Sequence, residues 1–343
     1  MSSDEKTISA QRTTASIQQV AARAHVSIAT VSRVLNGGAS VAPEYRDRVL
    51  RAVDELNYHP NRLARHFRLQ RADMIGVLVS DIENPHFTSM VRAVEDAAYN
   101  HGKRVLLCNT DENPEKQGAY LEMMASDRVF GVLLSTSDPA DPGIARLLDL
   151  GIPVVAFDRL VQDPRPDAVI ADNWGAARLA TELLLQAGHT RVGCISGPRT
   201  IQTGADRLAG YELAMRTAGL QPTSISGLFK VDGACSATHN LLEMAPDLTG
   251  LVVTNNLMAM GVLKALKERQ VPVPDGVALV AIDDPFWADL VQPPLTTLAQ
   301  PIRMMAASAV DLLFQRISEP NRESRVLKFQ LEFRVRKSCG TVR

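Results

Sequence analysis

Ser27, Thr30, Ser32 and Arg33 lie close together in the stretch SIQQVAARAHVSIATVSRVLN, which runs from Ser16 to Asn36. Hydroxyls beside a guanidinium suit an anionic, hydrogen-bonding partner. Ser and Thr can position phosphate oxygens, and Arg can donate two parallel bonds to guanine O6 and N7. Signatures of catalysis are missing from the sequence. It has no G-x-x-x-x-G-K-[ST] loop and no G-x-S-x-G elbow, so an enzyme is not expected. Cys108, Cys194, Cys235 and Cys339 form no C-x-x-C pair, and the seven histidines form no H-x-x-x-H pair. We therefore expect no metal and no cofactor. Cys108 and Cys194 fall in apolar, strand-like runs, where a free thiol behaves as a small hydrophobe in a reducing compartment.

The elements that must carry these side chains can be read locally. Ser16 with Gln19 predicts a capping-box helix start. Val20, Ala21 and Ala24 give that helix an apolar stripe, and His25-Val26 makes a turn. Ser27 offers a second N-cap, after which Val31, Val34 and Leu35 repeat the stripe. Two helices this short bury little surface alone, so they need a third and a purpose for the exposed second one. A helix-turn-helix unit reading the major groove supplies that purpose. Spacing alone equally fits any small helical hairpin. Charge favours the first reading: residues 1–72 hold eleven Lys/Arg against six Asp/Glu, a net of +5 on a chain whose overall net charge is −1. A basic head on an acidic body suits nucleic-acid binding.

The third helix is predicted from Pro43 to about Asn57, with Val49, Leu50, Val53 and Leu56 inward and Ala42 as a poor cap. Tyr58-His59-Pro60 breaks it, and Asn61–Arg68 is a short basic segment too brief to be a stable isolated helix. From Met74 onward apolar runs alternate with amphipathic helices. Expected strands are 75–79, 105–108, 131–134, 154–157, 169–171, 192–195, 251–253 and 277–281. Expected helices are 86–100, 115–126, 174–187, 205–218, 234–244, 256–269 and 302–317. This pattern predicts parallel sheets covered on both faces, in two linked α/β subdomains. The polar start has no apolar signal segment and no run reaches membrane-spanning length, so a cytoplasmic protein is expected.

Several stretches together closely resemble the bacterial LacI/GalR family of transcription regulators: VSIATVSRVLNG, V-x-P-E-x-R, LNYHPNRLAR, IGVLVSDIENPHF, IPVVAFDR, ADNWGAARLATELLLQAGHTRVGCISGP, DRLAGYELA, TNNLMAMG and PPLTTLAQP. The resemblance runs from about Ala15 to about Lys337. It implies an α/β protein with an all-α helix-turn-helix headpiece and hinge. These join a two-subdomain core of doubly wound parallel sheets, like periplasmic binding proteins, whose chain crosses between subdomains three times. Carried onto this chain, 1–13 is a disordered tail, 14–59 the DNA-binding domain, 60–73 the hinge helix and linker, and 74–337 the effector core. The N-subdomain is 74–172 plus 302–326, the C-subdomain is 173–301 plus 327–337, and 338–343 is a C-terminal tail.

The resemblance places Ile28, Ala29 and Arg33 against base edges, Ser27, Thr30 and Ser32 nearer phosphates, and Asn36 in the same surface. In the hinge it implies DNA contacts from Arg62, Leu63, Arg65 and Phe67. Phe67 stands where the family leads one to expect a minor-groove-wedging Leu, and His25 stands where Gly is common. For the effector it implies Asp81, Asn84, Phe87, Asp158, Arg159, Asn173, Arg207, Asn255 and Asp283. Each sits where a strand gives way to a helix or loop. Trp287 is expected either to stack on a sugar ring or to pack on the cleft wall, and Arg159 either to bind ligand or to form a structural ion pair. The implied protein is a homodimer on a palindromic operator, controlled by a sugar-like molecule. Loss of DNA affinity on sugar binding is the commoner direction in the family, and a purine-type corepressor works in the opposite sense. The distant alternative, a solute-binding protein, would share the core but not the helix-turn-helix.

Overall fold

The computed structural model describes residues 15–35, 41–56, 58 and 73–340. They form two units, divided after Arg71.

The first unit holds helices α1 (Ile17–Ala24), α2 (Ile28–Leu35) and α3 (Pro43–Glu55). The capping box is present: Gln19 N donates to Ser16 Oγ at 3.3 Å, and Ser16 N donates to Gln19 Oε1 at 2.7 Å. Val20, Ala21, Ala24, Val31, Val34, Val49, Ala52 and Tyr58 close one small core. Leu50, expected inside, is instead exposed. One residue per helical turn suffices for contact with two short helices, and Ala52 fills that place. His25 takes the left-handed conformation, with φ 53° and ψ 48°. The turn is braced by Arg48 of α3, which donates to Ala24 O at 2.6 Å and His25 O at 3.0 Å. These carbonyls at the end of α1 have no intrahelical donor, and a cation there also complements the helix dipole.

Among the described residues the second unit contains twelve strands and eight helices. In chain order they are β1 (Met74–Val79), α4 (Pro85–Asn100), β2 (Arg104–Asn109), α5 (Pro114–Ser126), β3 (Gly131–Leu134), α6 (Pro142–Asp149), β4 (Val154–Phe157) and β5 (Asp167–Ala171). Next come α7 (Asn173–Gln186), β6 (Val192–Ser196), α8 (Gln202–Thr217), β7 (Thr223–Ser226), α9 (Val231–Met244), β8 (Gly250–Val253), α10 (Asn256–Glu268), β9 (Ala278–Ile282) and β10 (Thr296–Ala299). Last are α11 (Ile302–Ser318), β11 (Val326–Phe329) and β12 (Glu332–Arg334).

One sheet has the order β11-β5-β4-β3-β1-β2 and the other β12-β10-β9-β8-β6-β7. All pairings are parallel except β10 with β12. The second order repeats the first strand for strand, although the sequence shows no short repeat. The inner strands β3, β4, β8 and β9 are buried along their whole length, as parallel strands covered by helices on both faces must be. Gly210 lets α8 close on α7, since a Cβ there would lie 2.2 Å from Trp174 O.

The chain passes between the sheets three times, after β5, after β10 and after β11. The expected cut between residues 326 and 327 falls inside β11. That strand pairs with β5 from Val326 to Phe329 and so belongs wholly to the first lobe. The expected tail also begins too early. Ser338 Oγ accepts from Thr296 N and donates to Leu279 O, both at 2.7 Å, and Cys339 is fully buried. Residues 338–339 are thus core of the second lobe. Strands β7, β10, β11 and β12 and helix α6 escaped the sequence reading because their residues are polar, Thr-rich or few.

At the start of β5, inside the first lobe, Asp167 is completely buried and receives Arg316 and Arg322, each through two nitrogens, at 2.7–3.1 Å. Arg325 N adds a bond at 2.8 Å. This cluster fixes α11 and the approach to β11. Asp167→Asn removes the charge and leaves two guanidinium groups facing it, which should cost about 3–5 kcal/mol. The urea midpoint of the second unit reads this loss, and an unchanged midpoint would contradict the role given to Asp167.

Candidate functional site

In the first unit, α2 carries its apolar side inward through Val31 and Val34 and turns the opposite side outward. Ile28, Ala29 and Arg33 are exposed on that outward face, with Ile28 at 44%. Ser27 Oγ accepts from Thr30 N at 3.2 Å and sits 2.9 Å from Thr30 Oγ1. Both hydroxyls therefore help to start the helix while staying at its rim. A helix N-terminus dressed with hydroxyls presents N–H donors suited to a phosphate. Asn36, Arg62, Leu63, Arg65 and Phe67 lie outside the described residues.

In the second unit a cleft opens between the lobes and is lined largely by residues that follow strands of both sheets. Its centre is set by two aspartates in equivalent places. Asp158 follows β4, with φ 66°, and Asp283 follows β9, with φ 72°. Asp158 N donates to Val169 O at 3.1 Å and Asp283 N to Leu298 O at 2.9 Å, so each residue ends its strand in the same way. Around Asp158 the turn is very tight, because Arg159 N donates to Phe157 O at 2.7 Å. Positive φ in such a three-residue turn is strained. Asp is among the few residues that adopt it at modest cost.

Each aspartate has a buried arginine beside it. Arg159 forms a two-pronged pair with Glu112, at 2.7 and 2.5 Å, donates to Thr136 O at 3.0 Å, and brings Nε within 3.3 Å of Asp158. Its guanidinium is thus largely committed to the protein, and it acts as an internal ion pair in the cleft wall. Arg207 differs. It donates to Asn173 Oδ1 at 2.7 Å and Thr254 O at 2.5 Å, and its Nη1 lies 3.7 Å from Asp283. Its Nη2 has no partner among the described residues, and Arg207 is one of the residues that line the cleft.

Asn84 and Asn255 cap α4 and α10 through their side-chain oxygens, accepting from His86 N at 2.9 Å and Met258 N at 3.0 Å. Their amide groups remain as donors at the cleft. Asp81 lies at the mouth and receives Lys230 Nζ from the opposite lobe at 2.6 Å. That hydrogen bond raises the Lys230 ammonium above its ordinary value.

Of the expected effector residues, Asp81, Asn84, Phe87, Asp158, Arg159, Arg207, Asn255 and Asp283 line this one cleft. Asn173 does not; it holds Arg207 in place from the first crossing. Trp287 does not either, because it packs on the core of the second lobe, so the stacking expectation is corrected. The aromatic faces in the cleft are Phe87 and Phe229. Phe229 has φ 56° and sits on Gly197, where any Cβ would come within 2.2 Å of its ring. Glu112, Thr203, Phe229, Lys230 and His86 were missed. His86 could have been found, since it stands between Asn84 and Phe87 in IENPHF. Its ring is buried, lies edge-on to Phe87 at 5.1 Å, has no hydrogen-bond partner for either nitrogen among the described residues, and brings Nε2 within 3.9 Å of Asp158 Oδ1.

Cys108, Cys194, Cys235 and Cys339 are free and buried, and burial pushes the Cys108 and Cys194 thiols above their ordinary values. Among the described residues no helix is long and apolar enough to cross a membrane.

Comparison with known proteins adds the context. Residues 16–61 match the family described as bacterial regulatory proteins, lacI family. Residues 72–337 match the periplasmic binding proteins and sugar binding domain of the LacI family. The HTH-type transcriptional repressor PurR of Photobacterium profundum is 35% identical, over 94% of this chain and 98% of its own. The ribose operon repressor of Halalkalibacterium halodurans is 38% identical, over 88% and 90%. Among solved structures, the lac repressor dimer bound to operator and the anti-inducer ONPF is similar with a TM-score of 0.85. Its identity is 26%, over 95% of this chain and 99% of that one.

The Lys230–Asp81 pair is the exposed tie across the cleft mouth, and such pairs are worth up to about 1 kcal/mol. Lys230→Met should therefore shift the lobes toward an open arrangement by up to about fivefold in population. Small-angle scattering at low salt should show a larger core for the variant. At 1 M salt, where charges are screened beyond about 3 Å, the two proteins should converge. Identical low-salt curves would remove the tie.

Proposed function

The chain belongs to the LacI family of bacterial regulatory proteins, and from that premise we propose that it is a sugar-responsive repressor. It binds operator DNA through α2 and the hinge, acts as a homodimer on a palindromic site, and works in the cytoplasm. It is a regulator, not an enzyme. One observation carries the effector reading: two strand-end aspartates face one cleft from opposite lobes, with Arg207 offering an unused guanidinium nitrogen and two aromatic rings flanking the space. Carboxylates accept from hydroxyls, a guanidinium donates in fixed geometry, and aromatic faces cover the apolar side of a ring. That set fits a sugar or sugar acid.

Control follows from linkage. A ligand gripping both lobes favours one arrangement of them, and its effect on operator affinity equals the effect of operator on its own affinity. Coupling of this kind is typically about 1–3 kcal/mol, which corresponds to about 5- to 150-fold in operator affinity.

On the DNA side, α2 offers Arg33 for hydrogen-bonded readout and Ile28 and Ala29 for thymine methyls and shape. Phe67 is proposed as the hinge wedge that opens a minor-groove step, so much of the specificity comes from how readily the operator deforms.

Two measurements follow. Selection of binding sites with Arg33→Ala should return a consensus relaxed at one base pair per half-site, a loss of about 1–3 kcal/mol there. An unchanged consensus would remove Arg33 from base readout. Gel-shift titration on the DNA upstream of the protein's own gene, with a sugar panel, should show an effector-dependent change in affinity for the wild type. Arg207→Ala should bind the same DNA equally well but lose the response. A response that survives in Arg207→Ala would contradict its place in the site.

A further inference from the structure

Helices α9 and α10 of the second lobe bring together three side chains of metal-binding type, none of which lines the cleft. The Cys235 thiol, a His239 ring nitrogen and a Glu268 carboxylate oxygen all lie within 4.8 Å of one another. His239 Nε2 is 2.8 Å from Glu268 Oε2, and Cys235 Sγ donates to the same oxygen at 3.8 Å. Cys235 and His239 stand one helical turn apart on α9, hence on one face, and Glu268 is the last residue of α10. A close approach of the two backbones makes this possible. At Gly261 of α10 a Cβ would come within 2.1 Å of Val231 O and 2.9 Å of Cys235 N on α9. The spacing Cys-x-x-x-His, with Glu on the next helix, is neither a C-x-x-C nor an H-x-x-x-H pattern, so the sequence alone does not mark the trio.

The donor set selects the ion. Thiolate sulfur and imidazole nitrogen suit zinc and its neighbours, whereas Mg²⁺ and Ca²⁺ take oxygen ligands. Zinc bond lengths of about 2.0–2.3 Å set the donors of a tetrahedral site about 3.3–3.6 Å apart. The observed 2.8 and 3.8 Å straddle that range. Two hydrogens now converge on Glu268 Oε2. One comes from the thiol. The other is on His239 Nε2, because Arg269 Nε donates to Nδ1 at 2.9 Å and so leaves Nε2 as the protonated nitrogen. A dication would take the place of both. The ring keeps its proton by moving it to Nδ1, which Arg269 must release while Glu243 still holds its guanidinium. The thiol gives its proton to solvent. Burial and the Glu268 charge raise the Cys235 thiol above its ordinary value, so that proton is in place until an ion arrives. The C-terminal end of α10 adds the negative pole of its dipole, which favours a cation.

We propose that Cys235, His239 and Glu268 form a three-ligand site for zinc or a similar borderline dication, with water as the fourth ligand. His239 and Glu268 are partly exposed, which gives the ion an entry path and the water its room. An ion held there staples α9 to α10. The same helices begin at the cleft, α9 directly after Lys230 and α10 directly after Asn255. The ion thus braces the two elements on which these cleft residues stand. The site is independent of what the cleft binds.

Calorimetry of the full-length chain with Zn²⁺ alone, after chelator treatment and under a phosphine reductant, tests this. One ion should bind tightly per chain and release about one proton, read from buffers of different ionisation heat. Co²⁺ should bind in the same place and show a sulfur-to-cobalt charge-transfer band, as thiolate ligation requires. Cys235→Ser should abolish that band. Cys235→Ser, His239→Gln and Glu268→Gln should each weaken Zn²⁺ binding by at least about 10- to 100-fold, the size of loss that even outer-shell changes cause. Glu268→Gln keeps the side chain's length at a half-exposed position, so its circular dichroism should match the parent's and its loss of Zn²⁺ reads the site alone. Failure to bind Zn²⁺, affinity unchanged in Glu268→Gln, or a Co²⁺ complex without the sulfur band overturns the site.

Discussion

Two carboxylates buried at the ends of parallel strands govern the design of the core. A charged group held away from water must be partnered, and Asp158 and Asp283 are partnered only in part by the protein. The duplicated strand order puts them in matching places, at the end of the third strand of each sheet, and both adopt positive φ there. Neighbouring features serve that arrangement. Arg159 is locked by Glu112 to balance the charge of one lobe, while Arg207 is aimed by Asn173 and Thr254 toward the other. The oxygens that remain face a cleft rather than the interior, and so their demand for donors is met by whatever enters.

That demand is what lets a small molecule act on the relation between lobes. Each lobe has its own sheet, and three crossings of the chain, the Lys230–Asp81 pair and a hydrogen bond from Leu160 N to Gln202 Oε1 at 2.9 Å are among what connects them. Polar ties across the cleft are added to apolar packing, since one buried cluster holds residues of both lobes. A ligand gripping residues of both lobes adds a bias comparable to the polar ties it supplements. The first crossing carries Asn173, which holds Arg207. The second carries Gln300, which holds Asp283. The segments that cross between lobes are in this way hydrogen-bonded directly to Arg207 and Asp283 in the cleft.

Much of this was legible in the sequence, for identifiable reasons. The capping box at Ser16 and Gln19, the turn at His25-Val26 and the buried stripe of α2 are local, and local rules read them. The apolar parallel strands announce themselves because burial on both faces demands apolar residues. Strand β10 did not, because Thr296 and Thr297 are buried by means of specific bonds to Ser338, Arg336 and Asp284, residues distant in sequence. Of the eight cleft residues that were found, Asp81, Asn84, Asp158, Arg159, Asn255 and Asp283 follow strand ends, where the fold class itself points, while Phe87 and Arg207 sit in helices α4 and α8. Lys230, Glu112 and Phe229 come from loops whose return to the cleft depends on tertiary path, which no local pattern encodes. Trp287 was left open between stacking and packing, because rarity and nearness to Asp283 in sequence are no guide to direction. It turns toward the core, and Phe229 supplies the aromatic face.

Amide hydrogen exchange on the full-length chain, with and without its sugar effector, tests the central claim most directly. The account predicts that backbone segments around 81–87 and 158–160 in one lobe gain protection together with those around 203–207, 228–230 and 283–285 in the other. Protection confined to one lobe, or found away from these strand ends, would contradict a ligand held between Asp158 and Asp283.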